Sequence, residues 1–120
     1  MQIIKAKDAT ISKYIQHTIT EFPINDKDIN IAVSEIYGEH INCSSDKKGN
    51  ARFSFNEVCK ELVYVLDGQV KIIFHDKEVS FAKGDVFLIE VGEKYYWQGK
   101  FKILTACTPA WFSEQHQQID

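Results

Sequence analysis

Cysteine is scarce in this 120-residue sequence, and the few cysteines present lie far apart. The sequence has three cysteines, Cys43, Cys59 and Cys107, which is an odd number, and none of them forms a C-x-x-C pair. A zinc ribbon needs such pairs, and a disulfide framework usually has an even number of cysteines, so the sequence indicates neither. We expect free thiols and a reducing compartment, the cytoplasm.

Long apolar runs and a strong excess of one charge are also missing. No apolar stretch is long enough to span a membrane, and the N-terminus lacks the pattern of a signal peptide. The formal net charge of -3 provides no basic surface for nucleic acid or for an anionic membrane. We therefore expect a single domain over residues 1–120, with neither nucleic acid nor a membrane as a partner.

The sequence is instead rich in short alternating apolar segments, of which residues 61–74, ELVYVLDGQVKIIF, are the densest. An Asp67-Gly68 pair divides this stretch into two apolar halves. Because Asp-Gly favours a tight reversal with a positive backbone angle, it predicts a hairpin that pairs Glu61–Leu66 with Val70–Phe74. Glu61 would then lie on the same strand face as Val63 and Val65.

Turn signals separate similar segments along most of the chain. We predict N-terminal strands within residues 2–20, further strands at 29–37, 52–59, 79–81, 86–91, 95–97 and 101–107, and an exposed loop at 44–50. Helical periodicity is almost absent. This spacing predicts an all-β antiparallel sandwich or barrel.

Two segments of the sequence resemble the paired motifs of the cupin superfamily. The first is Glu61 followed after six residues by Gly68, and the second is GDVFLIEVG, residues 84–92. The segment TPAWFSEQH, residues 108–116, is similar to the C-terminal tails of small single-domain cupins. The resemblance implies a double-stranded β-helix, or jelly-roll barrel, with its core at about 29–107 and a tail at 108–120. It also implies a ligand or metal site inside the wide end of the barrel, and commonly a dimer.

The chain departs from that family at the metal site. Cupins usually supply an H-x-H pair before the glutamate, but those positions hold Ser54 and Asn56, or Phe55 and Glu57 if the turn is one residue shorter, and Tyr95 replaces the histidine of the second motif. We therefore predict no metal cofactor. The alternative is one divalent metal ion held by Glu57, Cys59, Glu61 and Tyr95, since alternate residues of a strand share a face. The four histidines, His17, His40, His75 and His116, are predicted to be surface residues.

Without a metal, the barrel interior would be a pocket for a small molecule. The predicted ligand-binding residues are Asn56, Glu57, Glu61, Tyr95 and Trp97, with the last two pointing inward. Burial would raise the pKa of Glu61, which could then act as a catalytic general acid or base.

Three functional hypotheses follow. The first is a metal-independent protein that binds a small polar or sugar-like ligand. The second is an enzyme of the isomerase, epimerase, lyase or dioxygenase type, which uses a metal or uses Glu61 alone. The third is an interaction module with a filled barrel. We also predict a homodimer, formed by apolar residues outside the barrel, with Phe53, Phe55, Ile36 and Trp111 as candidates.

Overall fold

The computed structural model describes residues 1–37 and 53–119, so the loop predicted at 44–50, His40 and Cys43 lie outside the described residues. The described chain is all-β, as predicted. Its strands are β1 Thr10–Tyr14, β2 His17–Glu21, β3 Asn30–Ile36, β4 Ser54–Asn56, β5 Lys60–Ile73, β6 Glu78–Ala82, β7 Val86–Ile89, β8 Tyr96–Thr108 and β9 His116–Gln118. Two short 3-10 turns, Ala6–Asp8 and Ser113–Gln115, complete the secondary structure.

The strands form one large antiparallel sheet and one small one. The large sheet runs in the order β1-β2-β3-β8-β5-β6, and β7 pairs with the first half of β5. The small sheet pairs β4 with β9, two strands that are far apart in the sequence. The described residues thus form an all-β antiparallel structure, which confirms the predicted fold class. Within the described residues, no helix is long and apolar enough to cross a membrane.

The predicted hairpin at Asp67-Gly68 is wrong. Residues 60–73 form one continuous strand, β5, and pair with β8 along its whole length. The first half of β5 pairs with β7 and the second half with β6, so the two halves do not pair with each other. Gly68 does have a positive φ of 79°, but it lies next to a register shift between Val65 and Asp67. The glycine therefore bends a strand instead of reversing it.

The same correction applies to β8, for which we predicted two separate strands. Gly99 has a φ of 127° and lies inside a single strand, Tyr96–Thr108. The glycine in each strand allows the backbone of the paired strand to approach closely. A Cβ atom at Gly68 would overlap the carbonyl oxygen of Lys100, and one at Gly99 would lie 2.6 Å from that of Gln69.

The N-terminal prediction is partly right. Residues 2–7 form no strand, and part of that segment is a 3-10 turn. Residues 10–21 form a hairpin, β1 and β2, which reverses next to Gln16 with a φ of 61°. The strand predicted at 52–59 is limited to β4 within the described residues, because the chain bends after Asn56.

The core lies on the concave face of the large sheet, where alternate residues of β5, β7 and β8 meet. Its buried members are Ile36, Val63, Val65, Val70, Ile72, Phe87, Ile89, Tyr95, Trp97, Phe101 and Ile103. Burying one such side chain contributes about 1.5–3 kcal/mol. Ile36 belongs to this core, so it is not available to the dimer interface for which we considered it.

Candidate functional site

A cavity of about 390 Å³ opens on the concave face of the large sheet. Strands β2, β3, β5 and β8 supply one side of it, and Trp111 and His116 from the C-terminal segment supply another. The cavity therefore joins parts of the chain that are far apart in sequence. Its polar wall residues include His17, Glu21, Asn30, Ser34, Glu61, Tyr95, Thr105, Cys107 and His116.

Glu61 lies in the wall of this cavity, as predicted. Strand alternation places it on the same face as Val63 and Val65, and only 9% of the residue is exposed. The hydroxyl of Tyr95 donates a hydrogen bond to Oε2 at 3.3 Å. The thiol of Cys107, which is opposite Glu61 in the β5–β8 register, donates to Oε1 at 3.6 Å. Both carboxyl oxygens therefore have a donor.

Burial raises the pKa of Glu61 above its ordinary value, because the charged form loses hydration. Interactions with the side chains of Cys107, Tyr95 and Asn56 favour the carboxylate and lower the pKa, but they offset the effect of burial only in part. Burial and the neighbouring Glu61 raise the pKa of the Cys107 thiol, which keeps it protonated as a donor. Burial thus shifts Glu61 toward its neutral form, in which the acid has a proton to give.

Tyr95 and Trp97 point inward, as predicted. Their rings meet edge to face, with centroids 5.5 Å apart. Trp97 also packs near Phe87 and Phe101, with centroid distances of 5.8 and 5.9 Å. Trp97 is thus both a cavity wall and a core residue, and its ring is held in place from several sides.

Asn56 is fully buried but is not part of the cavity wall. Its Oδ1 accepts a hydrogen bond from Nε2 of Gln115 at 3.0 Å, and Nδ1 of His116 lies 2.8 Å from the same atom. Oε1 of Gln115 accepts from the backbone amides of Val58 and Cys59, at 3.2 and 3.1 Å. These bonds attach the C-terminal segment to the chain that leads into β5.

Two of the histidines that we predicted to be surface residues line the cavity, so that prediction is wrong for them. His17 is half-buried on β2, and its Nε2 atom is buried without a hydrogen-bond partner among the described residues. His116 lies on β9 beside the ring of Trp111, at a centroid distance of 5.3 Å. Burial lowers the pKa of both histidines and so favours their neutral forms.

A sequence signal existed for one of these two histidines. His17 shares strand parity with Ile19, whose side chain also faces the cavity, but the turn at Gln16 was not predicted. His116 had no such signal, because it follows an irregular segment and its position depends on pairing with β4.

Glu57 is exposed and does not line the cavity, because it follows the last residue of β4, where the chain bends. Cys59 is fully buried, but its thiol donates to the carbonyl oxygen of Pro109 at 3.4 Å and not into the cavity. Of the alternative metal ligands Glu57, Cys59, Glu61 and Tyr95, only Glu61 and Tyr95 are thus in contact. No group of three or more His, Cys, Asp or Glu residues within 1–37 and 53–119 is placed to hold a metal ion. As they are placed, the four alternative ligands do not fit a divalent metal.

Comparisons with known proteins agree with the observed fold. No sequence among the curated proteins matches the chain. PAC13 of Streptomyces, described as a nucleoside dehydratase and solved with uridine, superposes with a TM-score of 0.82 at 12% identity, over 100% of this chain and 92% of that one. The polyketide cyclase RemF from Streptomyces resistomycificus gives 0.69 at 14% identity, over 96% and 89%. KdgF from Halomonas sp. gives 0.70 at 8% identity, over 90% and 94%.

Those likenesses establish the fold alone. The family itself is established by a sequence model, that of the EutQ-like cupin domain, which matches residues 45–114 and so more than half of the chain. The matched segment contains Glu61, Tyr95 and Trp97, together with the glycines that bend β5 and β8. This protein therefore belongs to the family of EutQ-like cupin domains.

Proposed function

We propose that the chain binds a small polar or sugar-like molecule in its cavity, without a transition metal. One observation carries the proposal: a buried carboxyl group, Glu61, faces a cavity of about 390 Å³ that also has aromatic walls. Small-molecule sites are typically concave, largely apolar and equipped with a few oriented polar groups. An interaction module with a filled barrel would have no use for such a space.

The walls favour a ligand with one apolar face and several polar edges. Trp97 and Ile103 offer apolar surface, while Glu61, His17 and His116 offer hydrogen-bonding groups. A sugar-like ring has this distribution of groups, and its apolar face can pack on an aromatic side chain. Asn56 contributes indirectly, since it holds Gln115 and His116 in position.

Structures of the same fold add general support for a function within the cavity. PAC13 was solved with uridine, and RemF is a polyketide cyclase, so small organic molecules are handled on this fold. The ligand class proposed for this chain rests on its own cavity residues, because these structures share its fold and little of its sequence.

A thermal-shift screen of sugars, nucleosides and hydroxy acids tests the proposal. A ligand at 100 times its dissociation constant should stabilise the protein by about 2.7 kcal/mol. Glu61→Gln should abolish the shift, because the amide changes the donors and acceptors that the ligand meets. Glu57→Gln is the matched control, since Glu57 is exposed and outside the cavity. Equal shifts for the wild type and both variants would place the site elsewhere.

Acid-base catalysis by Glu61 is a second candidate function. Its raised pKa, the hydrogen bonds from Tyr95 and Cys107, and its position in the cavity wall suit a group that exchanges a proton with a bound molecule. Incubation of a bound ligand in deuterated water tests the idea. We expect a carbon-bound proton of the ligand to exchange faster with wild type than with Glu61→Gln. Equal exchange with both proteins would leave Glu61 with a binding role only.

We further propose that a second copy of the chain covers the outer face of β5 and β7. Leu62 and Tyr64 on β5 lie opposite Leu88 and Val86 on β7, and all four side chains are about half exposed. Exposed Ile31 on β3 extends the same apolar face across β8. A contiguous apolar patch of this kind is typical of an interface, and a twofold contact would bury it on both copies.

This outer face replaces part of the interface that we predicted from sequence, because Ile36 is in the core and Trp111 lines the cavity. Light scattering after size-exclusion chromatography should give a dimer mass for wild type. Leu88→Lys should give a monomer, while the control Lys13→Glu, on exposed β1, should remain dimeric. A monomeric wild type at tens of micromolar, roughly the range that detects micromolar contacts, would refute the proposal.

The cytoplasm is our proposed location. Cys59 and Cys107 are both buried free thiols, and oxidising compartments favour paired cysteines. Fractionation of cells that express the protein tests this, and recovery outside the cytoplasm would contradict it.

A further inference from the structure

The hydrogen bonds around Gln115 determine which nitrogen of His116 carries a proton. Oε1 of Gln115 receives two backbone amide protons, from Val58 and Cys59, so it must be the oxygen of the side-chain amide. The backbone carbonyl of Gln115 also accepts from the amide of Glu57, at 2.9 Å, which fixes the residue further. The remaining atom, Nε2, can therefore only donate.

The orientation of Asn56 follows from that of Gln115. Because Nε2 of Gln115 donates, the Asn56 atom that it meets at 3.0 Å must be the acceptor, Oδ1. The same oxygen lies 2.8 Å from Nδ1 of His116. An amide oxygen only accepts, so Nδ1 must carry a proton. Two backbone amides thus set the protonation of a histidine ring through two side chains.

The proton on Nδ1 determines which hydrogen-bonding group the His116 ring offers to the cavity. We propose that His116 is held as the Nδ1–H tautomer, so that its Nε2 is the hydrogen-bond acceptor of the cavity wall and selects ligands with a hydroxyl or N–H donor at that point. His116 lines the cavity, its Nδ1 is engaged by Asn56, and among the described residues its Nε2 is neither hydrogen-bonded nor fully buried. This inference rests on the proposed function, since it concerns the ligand of the same cavity.

Glu61 has the opposite polarity when it is protonated. Tyr95 and Cys107 already donate to its two oxygens, so the protonated acid has its own proton to give. A ligand that fits both groups presents a donor to His116 and an acceptor oxygen to Glu61. Small hydroxylated carbonyl compounds and ring imides have both groups, whereas fully alkylated ethers and amides have only the acceptor.

The side-chain nitrogen of Asn56 is the other end of this arrangement. With Oδ1 turned toward Gln115 and His116, Nδ2 is buried without a partner that meets hydrogen-bond geometry. Asn56 nevertheless acts on the carboxyl group of the cavity, since it is one of the side chains that favour the ionised form of Glu61 and lower its pKa. The network is therefore directional, and it links His116 to Glu61 through one amide.

The test begins without any ligand. Two-bond proton–nitrogen NMR spectra of 15N-labelled protein distinguish protonated from unprotonated ring nitrogens, and His17 serves as an internal comparison. We expect a protonated Nδ1 and an unprotonated Nε2 for His116 at neutral pH. The reverse assignment would refute the proposal.

Two variants test whether Asn56 and Gln115 determine the tautomer of His116. In Asn56→Asp the carboxylate still accepts from Gln115 and His116, so the tautomer should be kept. In Gln115→Glu the carboxylate cannot donate, so Asn56 should turn its amide group and His116 should change to the Nε2–H tautomer. If the buried charge prevents folding of the second variant, the wild-type spectrum still decides. A folded Gln115→Glu protein with an unchanged tautomer would show that Gln115 does not control it.

Matched fragments examine the consequence for binding. Uracil and phenol each have a donor that 1,3-dimethyluracil and anisole lack. We expect the capped fragments to bind about tenfold more weakly or worse, because Nε2 would lose its hydrogen-bond donor. We also expect the donor fragments to shift the Nε2 resonance of His116. Equal affinity within both pairs would refute the proposal, while fragments that shift no cavity resonance at all would refute the binding function and this proposal with it.

Discussion

Replacing Gly68 with alanine tests why β5 and β8 run past each other as two unbroken strands. The new Cβ atom would overlap the carbonyl oxygen of Lys100, which is backbone and cannot rotate away. The substitution also places a side chain at a φ of 79°. Two separate costs are therefore expected, a conformational cost and a steric one.

The magnitude follows from these two parts. A non-glycine residue in the left-handed region costs about 1–2 kcal/mol. Forcing extra atoms into a packed site costs about 1–3 kcal/mol more. We expect Gly68→Ala to lower the free energy of unfolding by about 2–5 kcal/mol in total. Gly84→Ala separates the two parts, because Gly84 has a φ of 92° and no atom within 4 Å of the point where a Cβ atom would lie, so it should lose only about 1–2 kcal/mol.

Urea unfolding of the three proteins, followed by tryptophan fluorescence, gives the comparison. Gly99→Ala is a further check, since its Cβ would meet Gln69 on the partner strand at 2.6 Å. We expect Gly68→Ala and Gly99→Ala to lose similar amounts of stability and Gly84→Ala to lose less. If Gly68→Ala and Gly84→Ala are equally stable, the close approach of the two strands has no energetic weight and the explanation of the unbroken strands fails.

Two further predictions concern the site. Because the folded-state pKa of Glu61 is raised above its ordinary 4.5, its contribution to stability is present below that value and is lost as the pH rises through the folded pKa. Glu61→Gln should therefore gain stability relative to wild type as the pH rises above 4.5. Urea midpoints across this range measure the gain, and a stability difference that stays constant with pH would contradict the raised pKa. Trp97→Ala should lose about 3–5 kcal/mol because the ring is a core residue as well as a cavity wall, and Trp97→Phe should lose less. A loss below about 1 kcal/mol for Trp97→Ala would show that the ring is not packed in the core.

Alternation was enough to place most segments of the large sheet and the central residue of the site. Glu61 precedes Val63 and Val65 by even spacings, so its inward position could be read from the sequence, and the same reasoning placed Tyr95 and Trp97. The length of β5 could not be read in the same way. A positive φ at Gly68 suits a turn as well as a strand bend, and the contact that distinguishes them involves Lys100, which is far away in the chain.

The prediction that the histidines are surface residues failed for a related reason. His116 reaches the cavity because β9 pairs with β4, and Gln115 is buried because it bonds to Asn56 and to two backbone amides. None of these contacts is local. A polar stretch near the C-terminus looks like a solvated tail in the sequence, although here it completes the wall of the cavity.

Within the described residues, that wall is joined to the rest of the barrel by short contacts. They include the three-residue pairing of β4 with β9, the hydrogen bonds of Gln115, the hydrogen bond from the Cys59 thiol to Pro109 and the one from the Trp111 amide to Asn30, while β5 and β8 are paired over their full length. Local opening usually follows such differences, so amide hydrogens of residues 113–118 should exchange sooner than those of β5. A ligand enclosed behind Trp111 and His116 would then leave at the rate at which this short segment detaches, and its residence time would be independent of the stability of the barrel.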